Sequence, residues 1–230
     1  MLWDMEDELN QGMITYYEER AGEYDEFYSG KSPGIPRPDA YKKDLAKITK
    51  IVSRFGKGHL IDIGCGTGFW LAHYGPNCSG ITLIDKSEKM LSECKKRAQE
   101  IGLIDKCCFL HADFLEIDFK ESRFDGALFG FLISHFINRL ERSFFVKLKR
   151  ILRPGSELML IDSAWTETRR PHRNKQGLQK RVLNDGREFT IYKKYLDGND
   201  VKKLFKGNDL KLQSLYLGGV FLAAIGKKHE

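Results

Sequence analysis

The sequence lacks the features that mark membrane, secreted and disulfide-stabilised proteins. No apolar run reaches the roughly 18 residues that a membrane-spanning helix needs. The first residues, MLWDMEDELN, are acidic and do not have the basic and apolar regions of a secretory signal. The five cysteines form no CxxC pair, which argues against a zinc site and a disulfide framework. These absences predict reduced thiols, a cytoplasmic location, no bound metal and no membrane partner.

Positive charge is concentrated in one internal segment and near the C-terminus. The net charge at neutral pH is +6, and basic residues gather in TRRPHRNKQGLQKR, at 168–181. Such a segment can attract an acidic or phosphate-bearing partner, although charge runs of this kind also serve as solvated surface loops. It has no interleaved aromatic residues of the kind that stack on bases, which argues against nucleic acid as a partner.

Predicted strands and helices alternate through most of the chain. Short apolar runs predict buried strands at 59–63, 80–85, 107–113, 124–132 and 157–163. Apolar residues at helical spacing predict helices at 14–28, 39–55, 68–74, 87–102 and 139–152. Asp39 and Ser87 are placed to cap two of these helices. Because strands that alternate with helices form right-handed units, the sequence predicts a doubly wound, mostly parallel α/β sheet.

The pattern changes after residue 163. Residues 164–178 are polar and basic without a clear period, and a hairpin is predicted at 179–196 around Asp185-Gly186. A short helix at 198–207 and two strands within 210–228 follow. This organisation fits a single domain, residues 1–230, in which 1–38 precede the sheet and 164–207 form an insert before the last two strands.

A glycine-rich turn follows the first predicted strand. In LIDIGCGTGFW, residues 60–70, glycine occupies positions 64, 66 and 68. Glycines at the carboxyl end of a strand let the backbone approach a ligand, and the next helix N-terminus offers free N–H groups. A dinucleotide-binding GxGxxG motif would need glycine where the chain has Phe69. Asp62, before the first glycine, suits a ligand that carries an amine or a positive charge.

This turn and four later segments resemble, in order, the motifs of class I S-adenosylmethionine (SAM)-dependent methyltransferases. The later segments are ITLID (81–85), HADFLEIDF (111–119), FDGALFGFLISHF (124–136) and LKRILRPGSELMLID (148–162). The resemblance covers residues 40–163 and 208–228. It implies SAM as the cofactor, S-adenosylhomocysteine as the product, and a Rossmann-like sheet of seven strands that ends in an antiparallel hairpin.

The resemblance also implies roles for individual residues. Asp85 would accept the ribose hydroxyls, since its two carboxylate oxygens can take both. Asp113 would face the adenine amino group, with Phe114 beside the ring. Met90 would pack near the adenine, although it suits the core equally well. The residues predicted to bind the cofactor are Tyr17, Arg20, Tyr24, Asp62, Gly64, Cys65, Gly66, Gly68, Asp85, Lys86, Met90, Asp113, Phe114, Phe129 and Gly130.

A tyrosine-rich segment, YYEERAGEYDEFY, resembles the N-terminal segment that many small-molecule methyltransferases fold over the cofactor as a lid. The residues predicted to share a helix face are Tyr16, Tyr17, Arg20 and Tyr24. Arg20 could meet the methionyl carboxylate or an acid on the substrate. His135 follows the fourth strand, whose end lies beside the methyl group in this family. It is the candidate general base or substrate-orienting group. Aromatic packing on the sheet and a structural histidine are the alternatives.

Missing motifs narrow the methyl acceptor. The Asn/Asp-Pro-Pro-aromatic motif of amino-group methylation and the Pro-Cys nucleophile of cytosine chemistry are absent. A small-molecule acceptor is therefore favoured, while methylation of RNA or protein and non-catalytic SAM binding remain open alternatives. The oligomeric state is open between monomer and homodimer. The basic residues that predict an anionic group on the acceptor are Arg169, Arg170, Arg173, Lys180, Arg181 and Arg187.

Overall fold

A seven-stranded sheet organises the protein. The computed structural model describes residues 2–31, 38–167 and 169–229. The strands in these ranges are β1 His59–Ile63, β2 Gly80–Asp85, β3 Cys107–His111, β4 Phe124–Gly130, β5 Leu152–Ser163, β6 Gln176–Val182, β7 Glu188–Lys194, β8 Leu210–Leu217 and β9 Phe221–Lys228. The main sheet has the order β3-β2-β1-β4-β5-β9-β8, with β1 to β5 parallel and β8 and β9 antiparallel. The predicted fold class is confirmed.

Helices cover both faces of this sheet. Those in the described ranges are α1 Leu2–Arg20, α2 Glu26–Ser29, α3 Pro38–Val52, α4 Leu71–Tyr74, α5 Glu88–Glu100, α6 Asn138–Ile151 and α7 Gly198–Gly207. Ser87 caps α5 as predicted, because its hydroxyl accepts a hydrogen bond from the Met90 N–H at 3.1 Å. None of the helices that the structure describes is long and apolar enough to cross a membrane.

Several predicted boundaries differ from the structure. The helix predicted at 14–28 is α1 and α2, separated by a 3₁₀ turn at Ala21–Glu23 that contains Gly22, a poor helix former. The predicted linker at 29–38 lies largely outside the described residues. Asp39 lies inside the first turn of α3 rather than before it. The helix predicted at 68–74 starts only at Leu71, because the glycine turn extends further than expected.

The hydrophobic core has two halves, one on each face of the sheet. In β1, Leu60 joins the half beneath α3 and α4, whereas Ile61 and Ile63 join the half beneath α6 and α7. This alternation follows from the two-residue period of a strand. It also places the side chain of Asp62 on the same face as Leu60.

The insert forms a separate two-stranded ribbon. β6 and β7 pair antiparallel around the predicted Asp185-Gly186 turn. The ribbon is followed by α7, where Asp197 and Asp200 form a capping box. Through residues 183–191, the ribbon packs on Tyr16 of α1. The insert therefore packs against the N-terminal helix.

Replacing Gly68 by Ala should destabilise the fold by about 2 to 4 kcal/mol, measured by urea unfolding. Gly68 has a φ of +70°, and an added Cβ would lie 2.6 Å from Cys94 Sγ. Gly102→Ala is the matched control, because Gly102 has a φ of +69° and nothing within 4 Å of the added carbon. This variant should lose only the free energy that a left-handed backbone costs a residue with a side chain, about 1 kcal/mol. Equal losses would contradict the close contact between the glycine turn and α5.

Candidate active site

The glycine loop, residues 64–68, joins β1 to α4 and folds toward β2. Gly64, Gly66 and Gly68 have φ angles of +69°, +55° and +70°, a region that glycine adopts without strain from a side chain. The Gly64 N–H donates to the carbonyl oxygen of Ile84 at 2.8 Å. The turn itself therefore requires the three glycines that the sequence singled out.

Asp85, at the end of β2, holds this loop in place. One carboxylate oxygen accepts from the Gly66 N–H at 2.8 Å, and the other accepts from the Ser87 N–H at 2.9 Å. Burial raises the pKa of Asp85, and these two hydrogen bonds oppose the rise. Because a carboxylate has about four lone-pair sites, Asp85 can hold the loop and still accept hydrogen bonds from a ligand.

Asp62 lies beneath the loop. Its side chain is buried, and one oxygen accepts from the Tyr74 hydroxyl at 2.7 Å. Its Oδ1 atom has no hydrogen-bond partner among the described residues, and neither has the indole N–H of Trp70. Burial raises the pKa of Asp62 to about 7. A cationic ligand group would have to reach beneath the loop to meet Asp62.

A cavity lies at the carboxyl ends of β1, β2 and β4, the usual ligand position in such sheets. We call it the first cavity. Residues from the glycine loop, the start of α5, α1 and the segments after β3 and β4 line it. The sequence-predicted site residues among them are Tyr17, Tyr24, Gly64, Gly66, Asp85, Lys86, Met90, Asp113, Phe114, Gly130 and His135. The structure thus brings most of the predicted residues together.

Phe131, not Phe129, is the aromatic residue at the end of β4 that lines the first cavity. Phe129 is fully buried on the other face of the strand, with its ring 5.2 Å from Phe144 and 6.0 Å from Phe145. Phe129 shares the face of Ala127 and points toward α6, whereas Phe131, after the end of the strand and with a positive φ, joins the core half on the opposite face. The geometry gives no support to Phe129 as a cofactor contact.

Cys65 and Gly68 belong to the glycine loop but do not line the first cavity. Gly68 packs against Cys94 of α5. Burial raises the pKa of the Cys65 thiol well above its usual value, so the thiol stays protonated and unreactive. Both residues therefore contribute to the shape of the glycine loop and not to the wall of the first cavity.

Phe131 adopts a strained backbone conformation. Its φ is +55°, which is rare for a bulky side chain and costs about 1 to 3 kcal/mol. Its N–H donates to the carbonyl oxygen of Ile161 at 2.7 Å. The ring packs 5.2 Å from both Phe27 and Phe221. This kink turns the chain from β4 into the segment that carries His135.

Lys86 and Asp113 form an ion pair at the wall of the first cavity, with 2.6 Å between Nζ and Oδ2. Asp113 also accepts from the Leu115 N–H at 2.8 Å. Phe114, next in the chain, is buried against Phe144 at 5.3 Å. The predicted adenine-binding segment is therefore ordered by its own contacts.

A second cavity adjoins the first, and we call it the basic cavity. The two share Tyr17, Tyr24, Phe131 and His135. The cations that line the basic cavity are Arg20, Arg169, Arg173, Lys180, Arg181 and Lys193, and no described carboxylate lines it. Arg20 thus lies with the other cations rather than in the first cavity.

Two residues of the predicted anion-binding set lie outside the basic cavity. Arg170 pairs with Glu167 at 2.8 Å. Arg187 pairs with Asp185 at 2.7 Å and with Glu19 of α1 at 2.6 Å. These arginines stabilise the local surface and the contact between α1 and the ribbon, because each has carboxylate partners there.

Lys193, on β7, was not among the predicted site residues. Its ammonium group is buried, donates to the Ser134 hydroxyl and lies 3.5 Å from Asp162 Oδ1. Burial lowers the pKa of Lys193, and the charge of Asp162 opposes this effect. The only sequence signal was the alternation in the β7 segment IYKKY, which puts Lys193 on one face with Ile191 and Tyr195.

Tyr17 and His135 form a hydrogen-bonded pair between the two cavities. The Tyr17 hydroxyl lies 2.7 Å from Nε2 of His135, and Nδ1 lies 2.8 Å from the carbonyl oxygen of Tyr192. Burial lowers the pKa of His135 well below its usual value, and the charge of Lys193 lowers it further. His135 is therefore neutral at physiological pH.

The N-terminal helix crosses the opening between α5 and the ribbon. Glu19 accepts from Lys89 at 2.8 Å and from Arg187 at 2.6 Å. Glu18 accepts hydrogen bonds from the backbone at the start of α5. α1 is thus held over the site by polar contacts on both sides.

Comparison with known proteins identifies the central part of the chain. Residues 60–155 match the family model described as a methyltransferase domain. This segment contains the glycine loop, Asp85, Asp113 and the end of β4. This part of the chain is a methyltransferase domain. The predicted family and its cofactor, SAM, are confirmed for this domain.

Curated relatives of the methyltransferase domain differ in the acceptors that their names give. The chain is 25% identical over 157 residues to the sterol 4-C-methyltransferase strm-1 of Caenorhabditis elegans, an alignment covering 64% of this chain and 46% of that protein. It is 29% identical over 106 residues to the ubiquinone/menaquinone biosynthesis C-methyltransferase UbiE of Paracoccus denitrificans, covering 45% and 42%. The chain thus matches less than half the length of these relatives.

Solved methyltransferase structures share the fold over nearly the whole chain. A DhpI-SAM-HEP complex superposes with a TM-score of 0.74 at 21% identity, covering 95% of this chain and 97% of that one. The 1,6-didemethyltoxoflavin-N1-methyltransferase of Burkholderia thailandensis gives 0.66 at 15% identity, covering 97% and 90%. At sequence identities this low, the similarity shows that the chains share a fold.

Asp62→Asn should remove a pH dependence of stability. The pKa of Asp62 is raised from 3.8 to about 7 in the folded protein. The folded protein therefore holds the Asp62 proton more tightly than the unfolded chain does. The stability that this proton contributes is fully present below about pH 3.8 and is lost as the pH rises through about 7. Asn keeps an oxygen for Tyr74 without the charge. In urea unfolding, the variant should gain up to a few kcal/mol over the wild type as the pH rises, with no further gain above about pH 7.

Asp118→Asn is the control, since the carboxylate of Asp118 is 92% exposed. A difference between wild type and Asp62→Asn that does not change with pH would show that Asp62 is not buried as a neutral acid.

Proposed function

We propose that this protein transfers the methyl group of SAM to a small anionic molecule. The observation that carries the proposal is the junction of two unlike cavities: a first cavity built from the family's cofactor motifs, and a basic cavity that shares Tyr17, Tyr24, Phe131 and His135 with it. A bound SAM supplies a methyl group already activated on a sulfonium. The protein then has to hold both ligands, align them and exclude water.

The residues of the first cavity fit SAM. Met90 and Phe114 offer apolar surface for an adenine ring, and the Asp85 carboxylate has lone pairs left for ribose hydroxyls. The Oδ1 atom of Asp62 is a buried acceptor without a partner among the described residues, which suits an ammonium group that reaches beneath the loop. Gly66 leaves the loop bare next to Tyr24, whose Cε1 lies 3.6 Å from where a Cβ would be.

The charges of the basic cavity favour an anionic acceptor. Arg169 donates to the carbonyl oxygens of Ala164 and Val220, and Arg181 donates to Lys180 O and Gln179 Oε1. These acceptors are neutral, so the arginine charges are oriented but not neutralised by them. Guanidinium groups held in this way bind carboxylate or phosphate groups well.

The positive charges of this cavity lower the pKa of Tyr195. Burial by itself raises the pKa of Tyr195, yet the charges of Arg181, Arg169 and Lys193 lower it below the usual value for tyrosine. A neighbouring anion would be stabilised by the same charges.

Two segments cover the paired cavities in this proposal. α1, within residues 1–38, acts as the lid, and the ribbon within 164–207 covers the acceptor as part of one domain. The contacts of Glu19 with Lys89 and Arg187 support it, because they join the lid to both sides of the site. Covering both ligands keeps water from the reacting atoms.

Asp85→Ala should weaken SAM binding by about 10- to 100-fold in calorimetric titration, since it removes acceptors for the ribose and support for the loop. Asp118→Ala is the control, because Asp118 is exposed and lies outside both cavities. Undiminished SAM binding by Asp85→Ala would refute the placement of the cofactor, and no SAM binding by the wild type would refute the function.

Arg181→Glu should raise the KM for an anionic acceptor by about 10- to 100-fold, because it replaces attraction by repulsion. Acceptors come from a panel of carboxylates, sulfate esters and phosphate esters, each beside a neutral analogue, with S-adenosylhomocysteine release as the readout. Arg170→Glu is the matched control, since Arg170 lies in the same insert but outside the cavity. Turnover of the neutral analogues, or of RNA or protein instead, would contradict an anionic small-molecule acceptor.

A further inference from the structure

We propose that Tyr17 and His135 form a proton-accepting pair between the two cavities, and that an anion in the basic cavity increases the affinity of His135 for the proton. The identity of the proton donor, an O–H or N–H group on the methyl acceptor, rests on the proposed function. The coupling between the anion and His135 does not require turnover.

The hydrogen bonds of His135 fix the direction of proton movement. The carbonyl oxygen of Tyr192 can only accept, so Nδ1, 2.8 Å away, carries a hydrogen. In the neutral ring Nε2 is then the acceptor, and the Tyr17 hydroxyl, at 2.7 Å, donates to it. The lone pairs of the Tyr17 oxygen remain available. Tyr17 and His135 both line each of the two cavities.

A proton can therefore pass along the pair without moving a heavy atom. The O–H or N–H bond of the acceptor breaks, its proton goes to the Tyr17 oxygen, and the proton of Tyr17 goes to Nε2 of His135. The bonding electrons stay on the acceptor atom, which becomes the nucleophile. The imidazolium then donates from Nδ1 to Tyr192 and from Nε2 to Tyr17, so both N–H groups have partners.

The cations around His135 oppose its protonation, and Asp162, 3.5 Å from the Lys193 ammonium, offsets only part of their charge. Burial comes first among the causes that lower the pKa of His135, followed by Lys193 on β7, and by Arg181 on β6 and Arg20 on α1. The hydrogen bond to Tyr192 acts in the opposite direction. The other titratable neighbours, Tyr17 and Tyr24, have pKa values raised well above normal by burial and stay neutral.

An anion among these cations would cancel part of their field. The pKa of His135 would then rise, because the positive charge of the imidazolium would meet less repulsion. The base would become effective when the acceptor is bound.

The test is a pH titration of the nitrogen-15 histidine resonances of the full chain, with sodium sulfate and with sodium chloride at equal ionic strength. Sulfate stays dianionic throughout the titration. His135→Gln assigns the resonance among the six histidines. We expect His135 to be the tautomer protonated at Nδ1, with a titration midpoint below the usual histidine value that moves upward in sulfate and not in chloride.

Variants separate the hydrogen bond from the charge effect. Tyr17→Phe should shift the Nε2 resonance of neutral His135, whereas Tyr192→Phe, which keeps the backbone carbonyl, should not. Arg181→Gln should reduce the upward movement caused by sulfate. Thermal unfolding of each variant checks that the fold is retained.

Calorimetric titration with sulfate distinguishes the two possible failures. If sulfate binds and the titration of His135 does not move, this inference is wrong while the anion site stands. If sulfate does not bind, the anion site of the proposed function fails and the inference fails with it. An unchanged Nε2 resonance in Tyr17→Phe would refute the pair itself.

Discussion

The hydrogen bonds that Asp85 accepts are the constraint on which the rest of the site depends. They join the Gly66 N–H of the glycine loop to the Ser87 N–H at the start of α5. With those ends fixed, the loop needs positive φ angles at its glycines. It also passes so close to Cys94 that Gly68 has no room for a side chain. The first cavity is the space that remains between these backbone segments, α1 and the end of β4. A single carboxylate thus positions two segments that face the ligand.

The two cavities differ in charge, so the site has an acidic side and a basic side. The first cavity contains the carboxylates of Asp85 and Asp113, and only Asp113 is paired with a lysine. The basic cavity contains six cations. Opposite potentials in adjoining cavities favour opposite charges on the two ligands. The polarity arises from topology, because the carboxylates follow strands of the sheet whereas most of the cations belong to the insert.

The sequence predicted the bounds of the strands and helices around the site better than it predicted which side chains of a strand face the cavity. β1, β2 and α7 have the predicted bounds, because apolar runs and capping residues mark them clearly. Phe129 shows why the faces could not be predicted: a strand buried on both sides is apolar throughout, so its pattern does not reveal which side chain meets the cavity. Lys193 was missed because Lys194 beside it is chemically identical. In the structure Lys193 is buried beside Ser134 and Asp162, whereas Lys194 pairs with Glu141. Arg170 and Arg187 were misplaced because a basic residue in a charge run does not reveal its partner: Arg170 pairs with Glu167 nearby in the chain, and Arg187 pairs with Asp185 and, across a tertiary contact, with Glu19.

The backbone of Phe131 shows where the protein gives up stability. Its left-handed conformation is unfavourable for an aromatic residue, yet it brings one ring to both cavities and leads the chain toward His135. A substitution that relaxed this kink would lower the free energy of the folded chain. It would also move the Phe131 ring away from the place where it lines both cavities. The junction of the two cavities is therefore a place where the folded chain carries local backbone strain.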